Sequence, residues 1–269
     1  MKIKSVWSRF KDDLLPKNIF ENYVKQLEYL QDKGFSMISL YEAFQKLPTL
    51  NGIVAIRHDI DVNDISGNRA FFEIEKRFGA TATYYFRLET LDHHLPLIKD
   101  LQAENFEIGY HFEEPATFMK ESNIKSLHDL KNHTVEINNL ISSNIKKVEE
   151  RIENNIYSLC SHGDWINRKY KFSNYDFLDR EFLNKNELCF EAYQDNFLNA
   201  FSIYITDTSP VGEVWVDDID AIRALEQGHK NIYMLTHERT FHTNIRAAWE
   251  SNLVVLGERL KHKFYKYLI

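Results

Sequence analysis

The sequence predicts an α/β fold, a distorted (β/α) barrel of seven or eight strands preceded by an N-terminal helical lead-in. From residue 51 onward, short apolar runs typical of buried strands alternate with segments of helical periodicity, as parallel β-α-β units require. Most of these runs end in ionisable or polar residues, which is where barrel enzymes place their chemistry. The 269 residues suit one such barrel, and no G-x-G-x-x-G motif favours a dinucleotide-binding fold.

The helical lead-in covers residues 1–50. Apolar residues at helical spacing, including Phe20, Leu27 and Leu30, predict a helix over residues 18–33 that ends at Gly34. A short strand over 36–40 and a helix over 41–46 should follow. Because Pro and Gly are sparse and scattered, no linker is evident, and we expect residues 1–269 to form a single domain.

The alternating part of the chain contains seven strand-like runs and five helical patterns. The strands are expected at residues 52–58, 80–87, 106–111, 156–161, 201–206, 212–216 and 231–236. The helices are expected at residues 65–78, 96–104, 126–145, 218–225 and 245–264. Residues 165–200 are rich in Asn, Asp and aromatic side chains and break this rhythm, so they are expected to form an irregular insertion.

Composition and charge exclude several classes of function. With 33 basic and 40 acidic residues the net charge is −7, which argues against a nucleic-acid binder that relies on a broad basic field. Cys160 and Cys189 form no C-x-x-C pair, so no disulfide framework or thiolate zinc cluster is expected. The first residues lack the apolar core of a signal peptide, and no run approaches the length of a membrane span. We therefore expect a cytoplasmic protein without a membrane span.

Two carboxylates at the end of the first barrel strand form the sharpest signal of a site. Asp59 and Asp61 lie two residues apart in the segment RHDID, so an extended backbone places both on one face. Like charges this close repel each other, and a bound cation or a proton with a raised pKa is the usual solution. A helix-capping role is the alternative, but Asn63 and Asp64 are better placed for it.

Histidines end three further strand-like runs. His111 follows Gly109, and in the company of Asp61 it suits a zinc-like metal. His162 can be a metal ligand or a substrate contact. His237 has the neutral-range pKa that suits protonation of a leaving group. The alternative for each is a structural histidine with satisfied hydrogen bonds.

Two arginines and several late carboxylates complete the set of strand-end candidates. Arg57 and Arg87 can clamp an anionic group of the substrate or orient Asp59, and a purely structural role is the alternative. Three carboxylates can orient catalytic groups or simply face solvent: Asp207, Asp217 and Asp218.

Taken in order, these segments resemble a divergent cytoplasmic branch of the polysaccharide deacetylase (NodB-homology) family, carbohydrate esterase family 4. The segments are RHDID (57–61), ATATYYFR (80–87), EIGYH (107–111), CSHG (160–163), YITDT (204–208) and LTH (235–237). The resemblance implies a distorted β/α barrel with one divalent metal, expected to be zinc, and hydrolysis of N-acetyl groups on sugars. It also implies that Asp59 is the catalytic base, His237 the catalytic acid, and Asp61 and His111 metal ligands.

The chain departs from the family pattern at three places, one of which is that the usual third motif with arginine and proline is not evident. The two aspartates are adjacent in most members, whereas Ile60 separates them here. Most members carry a second metal histidine four residues after the first, and that position is Pro115. His162 resembles the replacement found in the branch with His-Asp-x-Asp and His-Gly motifs.

The expected function is therefore metal-dependent removal of an N-acetyl or other N-acyl group from a sugar or activated sugar precursor in surface polysaccharide biosynthesis. The expected partner is a sugar or nucleotide-sugar substrate, with no nucleic acid. One alternative is a related amidase acting on another small amide, because the fold alone does not separate these activities. The other is a catalytically silent, sugar-binding member of a polysaccharide-assembly system.

Overall fold

The computed structural model describes residues 20–207, 215–238 and 241, and a single parallel β-sheet lies at its centre. The strands are β1 (Ser36–Ile38), β2 (Ile53–Ile60), β3 (Thr83–Phe86), β4 (Glu107–Phe112), β5 (Ser158–Ser161), β6 (Phe190–Glu191), β7 (Ile203–Thr206) and β8 (Asn231–His237). Every strand pairing within these residues is parallel, as the alternation of strands and helices predicts.

The sheet curls into an open barrel with the strand order β6-β5-β4-β3-β2-β8-β7. β1 lies off this path. It pairs with the first half of β2, and β3 pairs with the second half. Within the described residues β6 and β7 do not pair with each other, so the barrel is open between them. The predicted fold class, a distorted barrel of seven or eight strands, is confirmed.

Helices surround the sheet, and several begin at a side chain that satisfies their first backbone N–H groups. They are α1 (Phe20–Asp32), α2 (Leu40–Gln45), α3 (Ile65–Arg77), α4 (Leu88–Ala103), α5 (Glu114–Glu121), α6 (Leu127–Lys131), α7 (Thr134–Ile152), α8 (Trp165–Tyr170), α9 (Arg180–Lys185), α10 (Asp195–Leu198) and α11 (Ala221–Glu226). Asp64, one of the two predicted capping candidates, accepts from the Gly67 N–H at the start of α3. None of the described helices is both long and apolar enough to cross a bilayer.

Strand alternation divides the buried residues into two cores. Val54, Ile56 and Ile60 of β2 face outward and pack with residues such as Phe71 of α3 in the large core between sheet and helices. The intervening positions face the barrel interior, where Ala55 joins a smaller cluster with aromatic and small residues of other strands. The interior strip of β2 continues into Arg57 and Asp59, so the same alternation that builds the core delivers charged residues to the end of the barrel.

Two of the predicted helices have different boundaries, and one helix was not predicted. The helix expected to start at Pro96 begins at Leu88, and the proline lies inside α4. Pro96 removes one helical hydrogen bond and its ring crowds the carbonyl group of the preceding turn, and packing of α4 on the sheet and on α7 outweighs this cost. The helix expected at 126–145 is broken at Asn132, the C-cap of α6, and α7 then continues to Ile152. The helix α5 was not predicted.

The remaining differences fall in the second half of the chain. The predicted irregular insertion at 165–200 contains α8, α9, α10, the two-residue strand β6 and a 3₁₀ helix (Asn174–Phe177). Of the strand predicted at 212–216, residues 212–214 lie outside the described residues, and Val216–Asp218 forms a 3₁₀ helix instead. The predicted helix at 245–264 lies entirely outside the described residues.

Candidate active site

Strand register brings the predicted site residues to one end of the barrel. Asp59 near the end of β2 pairs in register with His237 at the end of β8. His111 in β4 pairs in register with Cys160 in β5, and His162 follows two residues later. Because all these strands are parallel, their carboxyl ends meet at the same rim. The structure therefore places together residues that lie up to 178 positions apart in the chain, as the His58–Thr236 hydrogen bond also shows.

Asp61, His111 and His162 form a compact group of possible metal ligands. Asp61 Oδ1 lies 3.4 Å from His111 Nε2 and 3.5 Å from His162 Nε2. Two ligands of a tetrahedral zinc ion at 2.0–2.1 Å from the metal stand about 3.4 Å apart, so this spacing fits such an ion. One carboxylate and two imidazoles also match the donor set of catalytic zinc sites, which leave a fourth position open.

Both histidines are held with Nε2 directed towards Asp61. His111 Nδ1 lies 3.0 Å from the Cys160 carbonyl oxygen, which can only accept, so this nitrogen carries the proton. His162 Nδ1 lies 2.9 Å from Glu113 Oε2 and donates to that carboxylate. In each ring the lone pair is then on Nε2, the nitrogen that faces the ligand group.

Asp59 is held ionised by an arginine from its own strand. Arg57 donates from Nε and Nη2 to the two carboxylate oxygens at 2.7 and 2.6 Å. Burial raises the pKa of Asp59, but the charge of Arg57 and its hydrogen bonds outweigh burial and lower the value to about 2. Arg57 is fully buried, with its guanidinium 4.3 Å from the Tyr193 ring centre and hydrogen bonded to the Tyr233 hydroxyl. Arg57 thus contacts Asp59 directly, and its role in orienting that carboxylate stays a prediction.

His237 is positioned by Asp207, the residue that follows β7. Asp207 accepts from the backbone N–H and from Nδ1 of His237, each at 2.8 Å. Burial lowers the pKa of His237, but the charge of Asp207, with smaller contributions from Asp59 and Asp61, raises it to about 9. The second ring nitrogen, Nε2, lies 3.8 Å from Asp59 Oδ2. A proton donor thus stands beside an ionised carboxylate at the same rim.

Arg87 does not contact Asp59. Its guanidinium pairs with Glu113 at 2.7 Å and with Glu89 at 3.0 Å. Asp217 is exposed, and its backbone, like that of Asp218, belongs to the 3₁₀ helix after residue 215. Of the predicted strand-end carboxylates beyond Asp61, Asp207 is therefore the one that the described residues bring to the site.

A second possible ligand group, Asp59 with His111 and Cys160, fits a cation poorly. Arg57 Nη2 lies 2.7 Å from Cys160 Sγ and also pairs with Asp59, so its positive charge occupies this position. Burial raises the pKa of the Cys160 thiol well above its usual value, whereas a metal ligand must be a thiolate. The Asp61 group is thus the better cation site.

Two glutamates at the site were not predicted. Glu113 accepts from His162, and buried Glu238 accepts from the backbone N–H groups of Asp61 and Val62 at 2.8 and 2.6 Å. Burial and the nearby charge of Asp61 raise the pKa of Glu238 well above its usual value. Each glutamate directly follows a strand that ends at the site, and the segment His-Phe-Glu-Glu at the end of β4 is the one signal that could have identified Glu113.

Comparison with solved structures identifies similar proteins at low identity, while no family model and no curated protein matches the sequence. A CE4 family pseudoenzyme from Bacillus anthracis is 13% identical over 79% of this chain and 62% of its own, with a TM-score of 0.45. Peptidoglycan deacetylase PdaC from Bacillus subtilis is 14% identical over 82% and 96%, with a TM-score of 0.44. PdaA, a family 4 carbohydrate esterase from Bacillus subtilis, is 13% identical over 87% and 84%, with a TM-score of 0.43. The chain thus spans less than two thirds of the pseudoenzyme, and likenesses at these scores do not extend to activity or substrate.

Proposed function

We propose that this protein is a metal-dependent hydrolase of the polysaccharide deacetylase family that removes an N-acyl group from a sugar or activated sugar precursor. One observation carries the proposal: a carboxylate and two imidazoles suited to a divalent cation stand beside an ionised aspartate and a protonated histidine. The family and the sugar substrate rest on the motif resemblance, whereas the reaction type follows from the chemistry of these side chains. A cytoplasmic location stays a prediction from the sequence.

Asp61, His111 and His162 would hold one divalent cation of the zinc type. When bound, such an ion polarises the acyl oxygen and makes water more acidic, which is what hydrolysis of an unreactive amide needs. The arrangement fits this use because both imidazoles already present a lone pair towards the carboxylate. Little rearrangement of the protein is then needed on binding.

Asp59 and His237 have the protonation states that amide hydrolysis requires at neutral pH. Asp59, ionised by its pairing with Arg57, accepts a proton from water as the water oxygen bonds to the acyl carbon. His237, which retains its proton up to about pH 9, donates it to the amide nitrogen as the C–N bond breaks. The products are a carboxylic acid, acetate for an N-acetyl substrate, and a free amino sugar.

The test combines metal content with two substitutions. Purified protein should contain close to one equivalent of a divalent metal, and a chelator should abolish release of acetate from N-acetylated sugars and nucleotide sugars. Asp59→Asn should lower turnover by about 10²- to 10⁴-fold while metal content stays unchanged. Asp61→Asn should instead lose the metal. Asp100→Asn, the same change at an exposed side chain of α4, is the matched control.

Each opposite result has a definite meaning. Metal loss in Asp59→Asn with retention in Asp61→Asn would show that the two aspartates exchange roles. Protein that binds no divalent metal, or activity that survives chelation, would contradict the metallohydrolase. Acetate release from other amides but from none of the sugars would favour the related amidase.

A catalytically silent, sugar-binding protein is the second candidate, and Pro115 is the observation that favours it. This residue occupies the position of the second metal histidine of the family, near the start of α5, so that segment supplies no second ligand. Sugar binding without hydrolysis by metal-loaded protein would support this candidate. The ionised Asp59 and the protonated His237 favour the enzyme instead.

A further inference from the structure

The two imidazoles that face Asp61 are held by different kinds of partner. His111 donates to a backbone carbonyl, that of Cys160, at 3.0 Å. His162 donates at 2.9 Å to the side chain of Glu113. The orientation of His111 is therefore fixed by the backbone of the sheet, whereas the orientation of His162 depends on one side-chain carboxylate.

Strand pairing explains why Glu113 meets His162. Phe112 in β4 pairs with Ser161 in β5, and the His162 N–H donates to the Phe112 carbonyl at 2.8 Å. The backbone pairing thus continues one residue past β5 and sets residues 113 and 162 side by side. Two residues after Glu113, at position 115, proline stands where the family has its second histidine. The second imidazole therefore comes from the residue after β5, and the residue after β4 supports it.

Glu113 is itself fixed by Arg87. The guanidinium of Arg87, at the end of β3, donates to Glu113 Oε1 at 2.7 Å, while Oε2 accepts from His162. Each carboxylate oxygen accepts one hydrogen bond, and Glu113 lies at Nδ1 of His162, whereas Nε2 faces Asp61, so Glu113 is placed to support a ligand. Arg87, Glu113 and His162 follow the ends of three adjacent strands, and their side chains are only 17–19% exposed.

We propose that Glu113 is a positioning residue that fixes the orientation of His162 and thereby sets the affinity of the Asp61–His111–His162 site for a divalent cation. The proposal rests on the proposed metal site and goes beyond it, because it assigns a role to a residue outside the ligand group. The arrangement has the form of a carboxylate–histidine–metal triad, in which loss of the carboxylate typically weakens metal binding about 10- to 100-fold. Arg87 extends the triad by fixing the carboxylate.

The test measures Zn²⁺ and Co²⁺ affinity of the metal-free protein by competition with a chelating dye, so that it does not depend on activity. Glu113→Ala should weaken Zn²⁺ binding about 10- to 100-fold, and the absorption spectrum of bound Co²⁺ should change. Glu113→Gln should weaken binding less, because an amide oxygen can still accept from His162 Nδ1. Glu89→Gln is the matched control, since Glu89 also pairs with Arg87 but is 70% exposed and does not touch His162. Its affinity should stay within about twofold.

A double-mutant cycle separates positioning from a general structural effect. In a His162→Ala background, Glu113→Ala should weaken binding no further, because the ring that it orients is gone. An equal loss in both backgrounds would overturn the proposal, as would wild-type affinity in Glu113→Ala. Melting curves of the metal-free protein show whether Glu113→Ala folds. If it does not, the nearly isosteric Glu113→Gln variant provides the test. Wild-type affinity of Glu113→Gln together with an unchanged Co²⁺ spectrum would overturn the proposal.

Failure of the underlying metal site gives a different pattern. If Asp61→Ala binds Zn²⁺ as tightly as the wild type, or if the wild type binds no Zn²⁺, the proposed metal site is contradicted. The proposed role of Glu113, which depends on that site, is then contradicted as well. If Asp61→Ala loses binding and Glu113→Ala does not, only the positioning role is overturned.

Discussion

Asp207 maintains the proton on His237, and replacing it with asparagine tests that arrangement directly. The wild-type carboxylate accepts from Nδ1 and from the backbone N–H of His237, one oxygen to each. Asparagine retains the shape but removes the negative charge. It also replaces one acceptor with an N–H₂ group, so only one of the two hydrogen bonds can persist.

The size of the expected effect follows from the pKa of His237. Its rise from 6.5 to about 9 corresponds to about 3 kcal/mol, at 1.36 kcal/mol per unit. Burial opposes this rise, and Asp207 is the largest of the groups that produce it. Without the charge of Asp207 we therefore expect the pKa of His237 to fall by about two units.

The same shift determines how stability depends on pH. Because the folded-state pKa of His237 lies above its unfolded value, its contribution to stability is fully present below pH 6.5 and is lost as the pH rises through about 9. Asp207→Asn should therefore lower the free energy of unfolding by up to about 3 kcal/mol near pH 6. The pH-dependent part of that difference should disappear above about pH 9.

Two measurements check this prediction. An NMR titration of the histidine ring signals gives the pKa of His237, and denaturant unfolding at several pH values gives the stability difference. Asp100→Asn removes one carboxylate charge from an exposed pair with Arg69 and should change neither. A His237 pKa that stays within about half a unit of the wild-type value in Asp207→Asn would refute the reasoning.

Other predictions concern the barrel and its metal. Gly109→Ala should destabilise the fold by about 1–3 kcal/mol or more, because the new Cβ would lie 2.3 Å from the Tyr85 ring; wild-type stability in denaturant would contradict this close packing. Burial raises the pKa of Glu191 to about 7, although the Ser161 and Tyr193 N–H groups donate to its carboxylate. Glu191 therefore binds a proton more readily in the folded protein than in the unfolded chain. Stability should therefore fall by about 3 kcal/mol as the pH rises from 4.5 to 7, and Glu191→Gln should flatten this part of the profile; an unchanged slope would contradict it. Zn²⁺ at 100 times its dissociation constant should stabilise the wild type by about 3 kcal/mol, and an unchanged melting curve would contradict binding to the folded state.

The sequence predicted the site best where an apolar, strand-like run ends in an ionisable residue. Apolar runs ending in Asp59, His111, His162 and His237 predicted strands whose ends share one rim, and the structure brings those four residues together with Asp61. This worked because parallel strands have a fixed polarity, so a residue at the end of a run has a known position in the fold. The roles of these residues remain predictions.

The supporting residues could not be predicted in the same way. Glu113 lies beside His162 because of the register between β4 and β5, and a single sequence does not contain that register. Glu238 would be expected to repel Asp61, yet its carboxylate accepts from the Asp61 backbone N–H. Residues 165–200 were predicted to be irregular because their helices have only four to six residues, too few for a clear helical period.

Strand β2 places opposite chemistry on its two faces. Arg57 and Asp59 point into the barrel, while His58 between them points outward and bonds to Glu75 of α3 and Thr236 of β8. A slip of β2 by one residue would exchange these faces, putting the arginine and aspartate under the helices and the histidine inside the barrel. Arg57 and Asp59 would stay paired with each other, but Arg57 would lose its hydrogen bond to Tyr233, and His58 would lose its bonds to Glu75 and Thr236. Buried polar groups left without partners cost free energy, so misregistered pairings of this central strand are disfavoured. Substitutions of Arg57 or His58 are therefore expected to lower the yield of correctly folded protein, in addition to any effect on the neighbouring Asp59.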